Sequence, residues 1–568
     1  MSNLNQFQGI EGTNFFEQDR GFRVLLEDLL PREDRERVFS SLHQFARLVS
    51  GRWDQLASEG SRPESLPRIV KYDRVGNRVE RVDFGATTRQ LRREVADFGI
   101  LTRTESDLHK FALTYYLGHN GEASVMCGLS CTDGAIRALQ AQGSESLKNT
   151  YLPRLLSVET PLAGAQFITE QAGGSDVGAI ESRAEQNSDG SWSIVGEKWF
   201  CSNPDEYFVV AARPSAAPAG TDGLALFLVP RTLDNGRPNR LSFRRLKDKL
   251  GTRSLPTAEI DFEGATGFAI GDPSDGFKTL MNHVINTSRI HNAVSACGFL
   301  HRAFLEARNY AKQREAFGHT LIESPIIQET LVTLLERLWR NRVLTFRLIA
   351  AVDQYGLVPV DAGQAMWQRF LLNLAKYRTA VTLADSIREA MLILGGNGIV
   401  EDFTVLPRLL RDALILETWE GPPNTLCLQI MRDAGRSDLF GRWHSELSSA
   451  LERWPTSFLS LTRKRVERTV RHMVELAPEH RLNDRRWAQA HARRLVDRLG
   501  DILELAWMAE MASRHVDDDA TGALLTSFAG YRLLPDENPF EHPILDVLPQ
   551  TASSLIAEET IRFDVGQV

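Results

Sequence analysis

A single carboxylate at a sharp break is the first place where this chain could do chemistry. The stretch Leu416-Glu-Thr-Trp-Glu-Gly-Pro-Pro-Asn-Thr425 follows an amphipathic run through Leu409, Leu410, Arg411 and Asp412 and precedes an apolar run, Leu426 to Met431. It reads as a break between two helices. Glu420 stands at that break beside Trp419, with Gly421, Pro422 and Pro423 behind it. A carboxylate beside an indole at a backbone turn is one way to keep a general base in an apolar pocket. Read alone, the segment is more often a solvated Glu in a helix–helix loop.

Four further stretches combine special backbone with useful side chains. Phe167-Ile-Thr-Glu-Gln-Ala-Gly-Gly-Ser-Asp-Val177 offers Gly173 and Gly174 for close backbone approach and Thr169 and Ser175 as hydroxyls. It lacks the Gly-Lys-Ser/Thr of a P-loop and the G-x-G-x-x-G of a dinucleotide fold. Gly196-Glu-Lys-Trp-Phe-Cys-Ser-Asn203 sets adjacent aromatics at a strand end before a hydroxyl, an arrangement that could flank a flat ring or simply fill core and surface. Gln313-Arg-Glu-Ala-Phe-Gly318 ends a long helix, where Arg314 could bind a phosphate or serve the helix dipole. Leu392-Ile-Leu-Gly-Gly-Asn-Gly398 is Gly-rich after a helix and reads equally as a helix stop.

The composition narrows the function classes. The 568 residues allow several domains, with 42% hydrophobic and 25% charged residues as in ordinary globular proteins. A net charge of −8 gives no overall reason to expect a nucleic-acid partner. The five cysteines, Cys127, Cys131, Cys201, Cys297 and Cys427, form no C-x-x-C pair, so neither a metal site nor a disulfide framework is expected. With a polar Met1-Ser-Asn-Leu-Asn-Gln start and no apolar run of membrane-spanning length, the expectation is a soluble cytoplasmic protein without membrane contact.

The elements that must position these residues fall into four regions. Residues 1–160 read mostly helical, with a Pro- and charge-rich loop near Pro67 and a turn at Gly76. Residues 161–273 hold short alternating segments, Trp192–Cys201, Tyr207–Ala212, Leu224–Val229, Leu241–Leu246 and Ala258–Phe262, which predict a small β sandwich or barrel. Residues 274–437 predict bundle helices over Leu280–Gln313, Ile326–Tyr355 and Gln364–Leu394. Residues 438–568 read as a further helical region. The fold class is α+β, mainly α.

In order and spacing, the five stretches resemble the acyl-CoA dehydrogenase family over roughly residues 85 to 435. Thr169-Glu-Gln-Ala-Gly-Gly-Ser-Asp176 is similar to the family's T-E-P-G-A-G-S-D loop, and Lys198-Trp-Phe-Cys-Ser-Asn203 to its K-x-W-I-T-N strand. Arg314-Glu-Ala-Phe-Gly318, Leu394-Gly-Gly-Asn-Gly398 and Trp419-Glu-Gly421 match its R-x-x-F-G, L-G-G-x-G and Y-E-G turns. Pro67-Arg-Ile-Val-Lys-Tyr-Asp73, Arg245-Leu-Lys-Asp-Lys-Leu-Gly-Thr-Arg-Ser254 and the C-terminal extension look like the AidB-type branch, flavoproteins of the adaptive response to alkylation.

The resemblance implies the family fold: an N-terminal helical domain, a middle β domain, a helical bundle and, here, an extra C-terminal helical domain. It implies FAD as cofactor and an FAD-dependent acyl-CoA dehydrogenase, an oxidoreductase of fatty acid metabolism. Glu420 would remove the α-proton of an acyl thioester while a β-hydride passes to flavin N5. Phe167, Thr169, Gly174, Ser175, Phe200 and Ser202 would contact FAD from the β domain, Phe200 standing where the family has a Trp against the ring. Arg314, Phe317, Leu394, Gly395 and Gly396 would reach the FAD of a neighbouring subunit, which implies a homotetramer built as a dimer of dimers. Ser175, Arg289 and Gly421 would contact the acyl thioester, carried by CoA or a carrier protein. An electron-transfer flavoprotein is the implied electron partner, with an oxidase variant open. Ser288 falls where some members place the base and cannot serve as one.

This chain departs from the pattern in two places. Pro422 and Pro423 replace a hydroxyl residue and remove N–H donors near the adenine half of FAD, leaving Asn424 as a polar contact. Pro325 falls near a family Gln, for which Gln328 would substitute. In the extension, Arg463-Lys464-Arg465, Arg468, Arg471, Arg481, Arg485-Arg486, Arg493-Arg494 and Arg498 form a basic run interspersed with acids. The alternative function is therefore a low-turnover AidB-like flavoprotein that binds DNA or sequesters acyl-CoA.

Overall fold

Strict alternation of apolar and polar residues yields strands here, and long segments with an apolar stripe yield helices. The computed structural model describes residues 7–455, 457, 459–476, 484–516, 519–534 and 543–558. The chain divides into two units. A barrel unit comprises Arg52–Lys110 and Asn120–His291; a helical unit comprises Met1–Gly51, Phe111–His119 and Asn292–Val568. Of the four boundaries two fall inside helices, α5 and α9 below, one falls between α2 and α3, and one just past α5.

In chain order the first helices are α1 (Arg20–Leu29), α2 (Arg32–Ser50) and α3 (Arg52–Gly60). A hairpin of β1 (Arg68–Tyr72) and β2 (Arg78–Asp83) follows, turning at Gly76 with φ +86°. Its presence qualifies the expectation of a mostly helical N-terminal region. Next come α4 (Ala86–Phe98), α5 (Asp107–Leu117), α6 (Met126–Gln142) and α7 (Glu145–Leu155).

The barrel strands are β3 (Gly164–Phe167), β4 (Arg183–Gln186), β5 (Trp192–Ser202), β6 (Tyr207–Pro214), β7 (Ala225–Pro230), β8 (Leu241–Leu246) and β9 (Thr257–Ala269). Pairings β6–β4, β4–β5, β5–β9, β9–β7 and β7–β6 close a ring, with β3 beside β6 and β8 beside β9. The expected segments all become strands. β3 and β4 leave no such signal, being four residues long and without alternation; β3 is held by parallel pairing to β6, and β4 by antiparallel pairing to β5 and a short parallel pairing to β6. Alternate residues of β6 serve two cores, which explains its unbroken apolar run. Phe208, Val210 and Ala212 join Phe167, Phe227, Phe243 and Ile260 inside the barrel. Tyr207, Val209 and Ala211 pack outside it with Ala135, Leu139, Tyr151 and Leu155 of α6 and α7.

After α8 (Gly276–Thr279) come α9 (Asn286–Gln313), the two-residue strands β10 (Glu315–Ala316) and β11 (His319–Thr320), and α10 (Pro325–Tyr355). The segment expected as one helix over Gln364–Leu394 is two, α11 (Ala362–Val381) and α12 (Leu383–Ile393). Thr382 interrupts them, its hydroxyl bonding back to Arg378 O at 3.1 Å, a local bond that competes with helix continuation. α13 (Leu406–Thr418) and α14 (Pro423–Ala434) flank the Glu420 break, as expected.

The extension supplies α15 (Leu439–Arg453), α16 (Ser460–Leu476), α17 (Arg485–His515), α18 (Thr521–Leu533) and α19 (Ile544–Ala557). Buried charges dock it on the bundle. Arg378 of α11 binds Glu504 of α17 at 3.0 Å and Asp501 at 2.5 Å, and Arg340 of α10 bridges Glu336 and Glu504, each at 2.9 Å. Among the described residues no helix is long and apolar enough to cross a membrane.

Candidate active site

In the helical unit, α13 buries Leu406, Leu409, Ala413 and Leu416 and ends at Thr418. Trp419 is extended, and its N–H bonds Ile415 O at 3.1 Å. Glu420 then has φ +55° and Gly421 φ +103°. A left-handed non-glycine residue costs roughly 1–2 kcal/mol, so surrounding contacts must hold Glu420 in place. Pro422 is the N-cap of α14 and Pro423 its first residue. These are positions where a missing N–H costs a helix nothing, so the prolines start α14 as well as end the turn.

The carbonyls that α13 leaves open are capped by side chains from two other helices. Asn292 Nδ2 donates to Leu416 O at 3.1 Å. Lys376 Nζ donates to Glu417 O at 2.9 Å and to Gly421 O at 2.8 Å. Lys376 is fully buried, and its ammonium lies at the negative end of the α13 dipole. Glu420 and Gly421 are half-buried, and Asn424 is exposed on the first turn of α14.

Past α9, Arg314 N bonds Tyr310 O at 2.8 Å, and Phe317 and Gly318 turn the β10–β11 hairpin with φ +53° and +90°. Two left-handed residues are what a type I′ turn requires. The Phe317 side chain is 97% exposed at the hairpin tip. Gln328 is buried in α10, and its Nε2 donates to Ile322 O at 2.9 Å and to Ser553 Oγ at 3.3 Å. Leu394 is buried, whereas Gly395 and Gly396 are exposed with nothing within 4 Å of where a Cβ would sit. Asn397 Nδ2 reaches Tyr310 OH at 3.3 Å, tying this glycine loop to α9.

In the barrel unit, the Phe167 ring lies inside the barrel, 4.7 Å from that of Phe208, so only its backbone faces the loop that follows. Thr169 O accepts from Trp199 N at 2.8 Å, joining two of the sequence stretches directly. A buried ion pair joins them again: Glu170 Oε1 accepts from Lys198 Nζ at 2.5 Å. Glu170 also accepts from the backbone N–H groups of Glu181 and Ser182 at 2.5 and 3.2 Å. Burial pushes the Lys198 ammonium below its usual range, against the pull of Glu170. Gly173 is required here, since a Cβ would meet Asp176 O at 2.8 Å. Gly174 and Ser175 are exposed.

Phe200 is 54% exposed on β5. Lys247 Nζ, held by Glu259 at 2.8 Å, sits 3.5 Å from the Trp199 ring centroid and 4.7 Å from that of Phe200. Ser202 Oγ pairs with Thr257 Oγ1 at 3.0 Å, and Thr257 takes a bond from Lys249 Nζ at 2.9 Å. Asn203 has φ +56°, and its Nδ2 donates to Leu162 O and Gly164 O, each at 2.8 Å. Its Oδ1 accepts from buried Arg92 at 2.8 Å. Arg289 is buried, and its neighbour Ser288 accepts hydrogen bonds from Ser130 Oγ and Gln166 Nε2.

Sequence reasoning did not assign roles to Lys376, Asn292, Glu170, Lys198, Asn203 or Arg92. The available signal was a charged residue inside an apolar helix stripe, as Lys376 stands between Leu372, Ala375 and Thr379. In the extension, Arg463 bonds Leu451 O and Glu467, each at 2.9 Å, and Arg498 bonds Leu533 O at 2.8 Å. Arg465 is buried. Arg468 and Arg471 of α16, and Arg485, Arg486, Arg493 and Arg494 of α17, are exposed, while Arg481 lies outside the described residues.

Three family patterns match the sequence: the adaptive response protein AidB N-terminal domain over residues 5–159, the acyl-CoA dehydrogenase middle domain over 165–265 and the acyl-CoA dehydrogenase C-terminal domain over 274–435. A putative acyl-CoA dehydrogenase AidB of Escherichia coli is 32% identical over 384 residues, covering 64% of this chain and 69% of that protein. The crystal structure of Caenorhabditis elegans ACDH-11 in complex with C11-CoA superposes with a TM-score of 0.84 at 25% identity, covering 95% of this chain and 94% of that one. An acyl-CoA dehydrogenase complexed with FAD from Bacillus anthracis shares the fold, with a TM-score of 0.66 at 18% identity over 84% and 88% of the two chains.

Proposed function

The chain belongs to the acyl-CoA dehydrogenase family, in its AidB-type branch, and from that premise we propose that it oxidises an acyl-CoA or carrier-protein thioester to the 2,3-enoyl thioester, with FAD as cofactor and Glu420 as base. The observation that carries the reading is the Glu420 turn. A half-buried carboxylate is held in left-handed backbone by capping side chains from two neighbouring helices. A base fixed in this way meets the geometric demand of proton abstraction.

The residues present fit FAD. In the barrel unit Phe200 is exposed, Thr169 and Ser202 offer hydroxyls on stretches joined by the Trp199 N–Thr169 O bond, and Gly174 is exposed; in the helical unit Gly395 and Gly396 leave backbone open. FAD supplies the two-electron acceptor for the substrate hydride when bound. Glu420 takes the α-proton, and its backbone N–H donates to the thioester oxygen, where charge develops. Arg289 and Ser175 orient the substrate, with Gly421 giving it room beside the base. The prolines leave Asn424 as the polar contact toward the adenine end.

The protein assembles in this reading as a homotetramer. Support comes from apolar side chains left in solvent at the two loops assigned to a neighbour's FAD: Phe317 on the hairpin, and Leu392 and Ile399 around the glycine loop. Electrons leave to an electron-transfer flavoprotein. The five free thiols fit a cytoplasmic setting.

Anaerobic mixing of the FAD-loaded protein with straight and branched acyl-CoA thioesters tests the reading. Bleaching of the flavin band by at least one, slowed about 10²–10⁴-fold in Glu420→Gln, is the expected result. The exposed arginines of α16 and α17 keep a second reading in view. If no thioester bleaches the flavin while the protein retards DNA in a salt-sensitive way, the DNA-binding alternative replaces the first. Peroxide formation in air would move the electron acceptor from a flavoprotein to oxygen.

A further inference from the structure

The turn that carries Glu420 is closed by a side chain 45 residues away. Lys376 lies in the middle of α11, withdrawn from solvent, beside the packed side chains of Leu371, Leu372 and Leu374. Its ammonium donates to a carbonyl on each side of Glu420: Glu417 O before it and Gly421 O after it. Burying an ammonium is costly unless its donors are met. Two of the donor bonds of Lys376 go to the backbone of one turn.

We infer that Lys376 is a positioning residue for the proton abstraction, acting through Glu420. The inference rests on Glu420 being the base. With both flanking carbonyls fixed, the left-handed backbone of Glu420 is set at its two ends, and the direction in which its carboxylate leaves the chain is set with it. Asn292, which holds Leu416 O at 3.1 Å, steadies the α13 side alone; Lys376 spans the turn. The next residues of α11 serve another purpose. Tyr377 OH bonds Asp497 at 2.9 Å, and Arg378 binds Glu504 and Asp501 of α17. One helix therefore holds both the base turn and the C-terminal extension.

The test uses full-length FAD-loaded protein and the acyl-CoA that bleaches the wild-type flavin fastest. Lys376→Met is expected to slow flavin reduction at saturating thioester by about 10–100-fold, the scale of a misplacement near 1 Å, with the half-saturating concentration changed less than about threefold. In a Glu420→Gln background the same substitution should cost nothing further. Amide hydrogen exchange across residues 416–422 should speed up about 10-fold in Lys376→Met while the rest of the chain keeps its protection. A Lys376→Met protein that reduces flavin within twofold of wild type overturns the inference. So does an equal loss in the Glu420→Gln background, which would mark general damage. If Glu420→Gln itself reduces flavin at the wild-type rate, the base assignment falls. The exchange data then decide the clamp alone, and unchanged exchange across 416–422 sinks it. Should Lys376→Met not fold, Lys376→Gln keeps one donor group, and an intermediate loss is the expected result.

Discussion

Lys198 in the barrel unit and Lys376 in the helical unit are both withdrawn from solvent, and the bonds they make do different work. Lys198 meets a carboxylate, Glu170, at 2.5 Å and donates to Ile168 O at 3.1 Å, and these bonds bind β5 to the loop after β3. Lys376 donates to two carbonyls that bracket a single turn. An ion pair joining a strand to a loop fixes a framework, whereas an ammonium spanning a turn fixes one side chain. The difference separates what must break the fold from what must break the chemistry.

The largest effect should follow from Glu170→Ala, which leaves the Lys198 charge buried and unpaired. Removing one partner of a buried pair costs roughly 3–5 kcal/mol, so the barrel unit should melt far below the helical unit by calorimetry, and flavin should dissociate. Glu170→Gln with Lys198→Met should recover most of that loss, because neutral replacement of both partners is often tolerated. If the double variant melts as low as the single one, the pair is more than a framework link.

A second buried charge cluster sharpens the contrast within the helical unit. Asp19 accepts from Tyr115 OH and from Arg342, each at 2.7 Å, beside His301 and Glu558. Burial and the nearby Asp19 charge push the Glu558 carboxyl up to about 7. A carboxyl raised in the folded state binds its proton more tightly than in the unfolded chain, so its ionisation costs stability as pH rises from about 4.5 through 7. Glu558→Gln should therefore gain on wild type as pH rises from 5 to 8, by up to about 3 kcal/mol. His119 and His301, both held well below their usual range chiefly by burial, pull the other way below pH 6.5 and cancel in this difference. A difference between the two melting curves that is flat with pH would refute the assignment. Flavin reduction should be untouched, since this cluster does not bear on the Glu420 turn.

The smallest effect belongs to Gly421→Ala. A Cβ at φ +103° adds backbone strain of roughly 1–3 kcal/mol at the turn. Flavin reduction should slow about 10-fold, while the melting temperature moves by only a few degrees. An unchanged rate would mean that the turn tolerates a shift that the Lys376 clamp is expected to forbid.

Much of the architecture was legible because its signals are local. Alternation in Trp192–Cys201 gave β5, and the glycine and prolines after Trp419 gave the break between α13 and α14. Short strands such as β3 and β4 escaped because partners elsewhere in the chain create them. The split at Thr382 escaped because a hydroxyl bond to Arg378 O leaves no mark on periodicity.

The residues offered as chemical were readable for the same reason: each lies in a short stretch of glycines, aromatics and hydroxyls whose order resembles one family. What supports them was not readable. Glu170 and Lys198 stand 28 positions apart, Arg92 and Asn203 stand 111 apart, and Lys376 and Gly421 stand 45 apart. The sequence by itself determined that a carboxylate would sit at a helix break, because backbone preferences at Gly421 and Pro422 act over a few residues. Only the tertiary structure decided what holds that carboxylate, because a buried ammonium takes its partners from whichever carbonyls folding leaves open beside it.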